Sequence, residues 1–161
     1  MSTEEDLKNQ ISIDSKGLAS WDINMTGLIG GTYQGTFVFK TILTPLQEIE
    51  VDRDYRELLG KNAEFATTHA DNLAYTLSQL RYRVVKAPPF FNDGITRFPG
   101  GQIPDREVLS KILDAAIAAE MKYRDELKKK HTASIQKLVK VLEEKEREEK
   151  AALEKEKEGD V

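Results

Sequence analysis

The chain has 161 residues, about what one hydrophobic core supports, with 39% hydrophobic and 32% charged side chains and a formal net charge of −4. It contains no cysteine, which excludes disulfides, zinc-thiolate sites and thiol nucleophiles together. No apolar run reaches membrane-spanning length and the acidic start lacks a secretory pattern, so the expected location is the cytosol. Charge is uneven. Residues 1–16 hold four acids and two bases, residues 143–161 nine acids and five bases, and the stretch between fifteen acids and seventeen bases. The negative excess belongs to the two ends, and a near-neutral middle with a slight basic excess gives only weak support for a nucleic-acid surface.

Residues 1–16 offer little apolar surface to offset chain entropy and are expected to be a flexible segment. The body is expected over 17–142, and 143–161 is expected to be a charged arm, helical or frayed. Residues 21–26 alternate apolar and polar side chains, and after Gly27, Gly30 and Gly31 the run 32–43 is rich in β-branched and aromatic residues. Together they predict an antiparallel hairpin, in which Gly35 marks a bulge or a close backbone approach.

The period changes at Thr44-Pro45-Leu46-Gln47, a capping box with proline in the first helical position. A helix carrying Leu46, Ile49, Tyr55, Leu58 and Leu59 should end at Gly60, with an extended piece over 49–52 as the alternative. A second helix is predicted over 63–85, where Ala66, Ala70, Leu73, Leu77, Leu80 and Val84 step by three or four along one face. Ala87-Pro88-Pro89 ends it and opens a long connection containing Phe90, Phe91 and Phe98. The last helix starts near Pro104-Asp105. Val108, Leu109, Ile112, Leu113, Ala116 and Ile117 form its core face, which resumes at Ile135, Leu138, Val139 and Leu142. The expected fold class is α+β: a short antiparallel β-hairpin packed on two or three helices, with a long C-terminal helical arm.

A search for chemistry returns little. His69 and His131 have no partner at ligand spacing, no G-x-S-x-G elbow surrounds any serine, and Gly27 to Gly31 lacks a phosphate-loop pattern. Glu48, Glu50, Asp52 and Asp54, interleaved with Arg53 and Arg56, read as a solvated helix face. Lys122, Arg124, Lys128, Lys129 and Lys130 lie just upstream of a dense acidic run that would repel nucleic acid. No catalytic residue, cofactor or metal site is expected, and the chain reads as a non-enzyme. The partner-binding candidates are Phe90, Phe91 and Phe98 in the breaker-rich loop, and Ile135, Leu138 and Leu142 on the arm. The arm, basic before Leu142 and acidic after it, suits pairing with a copy of itself or with another helix; a solvated helix is the alternative.

The succession Gly35-Thr36-Phe37-Val38-Phe39-Lys40, Leu43-Thr44-Pro45, Tyr55-Arg56-Glu57-Leu58-Leu59-Gly60, Leu73-Ala74-Tyr75-Thr76-Leu77 and Val84-Val85-Lys86-Ala87-Pro88-Pro89-Phe90-Phe91 resembles small proteins of tailed-bacteriophage structural gene clusters. The nearest group is the tail assembly chaperone-like proteins. The resemblance runs over residues 32–124 and departs at the 93–104 loop and the charged arm. It implies a non-catalytic protein that binds other virion proteins in the host cytoplasm during assembly, or stays in the particle. A cytosolic coiled-coil adaptor unrelated to phage is the alternative.

Overall fold

The computed structural model describes residues 3–159 apart from Asn62, Asp93 and Ile95. The chain divides into two compact units, Met1–Tyr123 and Arg124–Val161. The first is α+β, as expected. A four-stranded antiparallel sheet in the order β1-β2-β3-β4 is built from Ser12–Ile13, Leu18–Thr26, Thr32–Lys40 and Val84–Lys86. The helices are α1 (Glu4–Gln10), α2 (Pro45–Leu59), α3 (Thr68–Arg83) and α4 (Arg106–Glu158), the last running through both units.

The central hairpin has the expected position and alternation. Trp21 pairs with Phe37 and Ala19 with Phe39, so one face presents Ala19, Trp21, Ile23, Tyr33, Phe37 and Phe39, all buried. Against that face lies the first part of α4, whose Val108, Leu109, Ile112, Ala115, Ala116 and Ala119 join the same apolar cluster. Gly35 is the close approach anticipated: at φ +146° a Cβ would stand 2.5 Å from Pro88 Cγ.

Several boundaries differ from the sequence reading. The predicted flexible segment 1–16 contains α1 and β1, because Thr3 and Asp6 form a capping box and Leu7 and Ile11 enter the core. Lys122 then donates to the Lys8 carbonyl at 3.1 Å and the Ile11 carbonyl at 2.5 Å, satisfying the end of α1. The predicted second helix loses both ends: Ala63–Phe65 is a separate 3-10 turn, and Val84–Lys86 leaves α3 to pair with β3. Val84 and Val85 are β-branched and suit the extended state better than a helix end. Finally, the body ends at Tyr123 rather than at Leu142, since the last buried side chain on α4 is Ala119. The second unit, Arg124–Val161, is helical through Glu158.

Candidate partner-binding surfaces

The loop between β4 and α4 carries Phe90, Phe91 and Phe98, the candidates for partner contact. Phe91 is instead 2% exposed, its ring edge-on to Phe37 at 5.3 Å between centroids. It is a core residue, and the reading of Phe91 as an anchor is corrected. Phe90 is half-buried, edge-on to Tyr33 at 5.1 Å and packed on the sheet cluster. Phe98, also half-buried, lies under two guanidiniums, 5.4 Å from Arg81 and 5.5 Å from Arg97. The loop closes through Gly100 N donating to the Phe91 carbonyl at 2.9 Å, so it is a packed cover on the sheet.

A second correction concerns the acids of α2. Asp54 is fully buried, not part of a solvated face. Its carboxylate accepts from Arg81, from the Tyr82 hydroxyl at 2.8 Å and from Arg97 at 3.2 Å. Burial pushes this carboxyl up, but the Tyr82 hydrogen bond and the Arg81 and Arg97 charges outweigh it and hold Asp54 below the usual carboxylate range. Burial and the hydrogen bond to Asp54 push the Tyr82 phenol up. Tyr55 donates to Asp71 and stands edge-on to Tyr75, and Arg97 donates to Glu57 at 2.5 Å, so polar groups tie α2 to α3 and to the loop beside the buried Val51.

With its buried side occupied by that network, α2 turns Leu46 and Ile49 outward, each 67% exposed. The apolar stripe of α3 is covered toward its C-terminal end, where Leu80 enters the core and half-buried Leu77 packs against it. Toward its N-terminal end the stripe lines an open trough of about 370 Å³ formed by Leu58, Leu59, Ala66, Ala70, Leu73 and Leu77. Phe65, next to Ala66, is 78% exposed.

A further exposed pair sits on the β2–β3 turn, where Leu28 is 90% and Ile29 71% exposed. Two carboxylates from the start of α4 pin this turn. The Ile29 N–H donates to Asp105 at 2.7 Å, the Leu28 N–H to Glu107 at 2.5 Å, and the Tyr33 hydroxyl to Asp105 at 2.7 Å. The Tyr33 and Ile29 hydrogen bonds hold Asp105 below the usual carboxylate range against its burial. The hydrogen bond to Asp105, then burial, push Tyr33 up to about 12. Gly27 is required here, because a Cβ would stand 2.2 Å from the Asp105 carboxyl. The glycine turn thus does collect an anion on its amides, and the anion is the chain's own.

On the arm, Ile135, Leu138 and Leu142 are all exposed, at 47, 64 and 60%. Among the described residues, no group of three or more His, Cys, Asp or Glu is placed to hold a metal, and no helix is long and apolar enough to cross a membrane. Comparison with protein-family models, with curated proteins and with solved structures gives no match for this chain.

Proposed function

We propose that this chain is a non-catalytic assembly or structural protein of a tailed bacteriophage, similar to the tail assembly chaperones, and that it acts by binding another virion protein. The phage part rests on the sequence resemblance over residues 32–124. The observation that carries the binding part is the trough between α2 and α3. Its apolar lining extends the α3 stripe N-terminally from half-buried Leu77 to exposed Ala70, with Leu58 37% exposed on α2, and Phe65 stands exposed beside it. Exposed apolar surface of this kind is an ordinary mark of a protein partner. Its shape suits an amphipathic helix laid along α3.

The test is co-expression with the products of the genes flanking its own, each tagged in turn. Recovery of a tail-tube or tape-measure protein, lost on Ala70→Glu while the melting temperature holds, supports the reading. Ala70 is exposed on the trough, so the new charge costs the isolated fold little. Flanking genes that encode no virion component reject the phage part. They leave the coiled-coil adaptor reading, which draws on the exposed apolar seam of the arm.

A further inference from the structure

The apolar residues of the arm have a symmetry that their spacing alone reveals. Leu127, Leu138, Leu142 and Leu153 are 41, 64, 60 and 56% exposed. Leu127 to Leu138 and Leu142 to Leu153 are each eleven residues, close to three helical turns. At about 100° per residue the four leucines fall within roughly 80° of the helix circumference. They are also mirror-placed about Lys140, thirteen and two residues to either side.

We propose that two copies of this chain pair through their arms, antiparallel and centred on Lys140. That register sets Leu127 against the second copy's Leu153, and Leu138 against its Leu142. The charged members of the same stripe follow. His131 meets Glu149, and Ile135 meets the aliphatic stem of Lys145. Parallel in-register pairing would instead stack Lys145 on Lys145 and Glu149 on Glu149. The net charge agrees: residues 124–142 carry six bases and two acids, residues 143–158 eight acids and five bases, so antiparallel arms oppose unlike halves. The like-charged pairs this register creates, Glu126 with Glu154, Lys130 with Lys150 and Lys140 with its own counterpart, lie about 100° or more from the centre of the stripe, in solvent that screens them.

The proposal needs no second protein, so its outcome leaves the phage reading untouched. The chain has no cysteine of its own, which makes the test direct. Leu127 and Leu153 are twenty-six residues apart, about 39 Å along one helix. Under mild oxidation an equimolar mixture of full-length Leu127→Cys and Leu153→Cys should give a disulfide-linked dimer in several-fold higher yield than either variant alone. The unmodified chain should sediment as a dimer, and Glu149→Arg should weaken that dimer. Equal cross-linking by Leu153→Cys alone would overturn the antiparallel register. A monomer throughout the micromolar range would overturn self-pairing, whatever the cysteine variants do.

Discussion

The two halves of the folded body are held together by opposite means. On the sheet side, α1, the hairpin, the phenylalanine loop and the start of α4 share one apolar cluster in which Trp21, Phe37, Phe39 and Phe91 are nearly or fully inaccessible. On the other side, α2 reaches the body through buried Val51 together with Asp54, Tyr55 and Glu57, and Leu46 and Ile49 point to water. The apolar cluster is sensitive to volume, and acid reaches the sheet side through Asp105 at the β2–β3 turn. The polar half is sensitive to the charge on one carboxylate. A region held by hydrogen bonds to a single buried acid keeps its apolar surface available, whereas a region held by burial uses that surface up.

The largest expected effect sharpens the contrast from the sheet side. Phe91→Ala should destabilise by roughly 3–5 kcal/mol, the cost of a large buried ring and the cavity it leaves. Phe98→Ala, half-buried under Arg81 and Arg97, should cost well under half as much. Denaturant unfolding of both variants measures this. Equal losses would mean that the loop is a uniform lid and that Phe91 has no special place in the core.

Next in size is Asp54→Asn, which keeps shape but leaves Arg81 and Arg97 without their counter-charge. A loss of roughly 1–3 kcal/mol is expected. Hydrogen exchange should locate it in α2 and the first turns of α3, with β2 and β3 amides unaffected. The pH dependence has a definite sign. Because the folded Asp54 carboxyl lies below its ordinary value, its contribution is fully present above about pH 3.9 and is lost as pH falls through the lower folded value. Asp105, also held low, loses its contribution in the same window, so exchange must be read element by element: α2 for Asp54, the β2–β3 turn for Asp105. Equal acid sensitivity of wild type and Asp54→Asn in α2 would remove Asp54 from this role.

The sheet half was legible in the sequence because its signals are local. Alternation at 21–26 and 32–40, the Thr44 capping box and the spacing of Val108, Leu109 and Ile112 each point to one structure. The edge strands were not, since two or three residues carry no period, and their pairing depends on where distant chain arrives. The first helix had a readable signal, the Thr3-x-x-Asp6 box with Leu7 and Ile11 four apart, masked by the charge around it. Asp54 likewise stands at the three-then-four spacing that links Val51 and Leu58, so its place on the buried side was written in the helix period. Its partners Arg81 and Arg97 lie too far along the chain to be paired with it by spacing. Phe91 and Phe98 share one breaker-rich loop, and only tertiary packing separates their fates.

The smallest expected effect tests the outward face of the polar half. Leu46 and Ile49 are among the apolar residues the sequence places on this helix, and each is 67% exposed. If they contribute to the isolated fold, replacing both by glutamine removes two buried aliphatic chains, at roughly 2 kcal/mol or more apiece. If they face water, the double change should fall within about 0.5 kcal/mol, because glutamine is as good a helix former as leucine and better than isoleucine. The Thr44–Gln47 capping box is untouched by either substitution, so helix initiation stays constant across the comparison. An urea midpoint unchanged from wild type, with Val51→Ala in parallel lowering it clearly, would establish that α2 is docked by its Val51 and Asp54 side alone. A loss from the glutamine pair as large as that from Val51→Ala would mean that the outward face of α2 is covered in solution, and a second copy or another element would have to be found upon it.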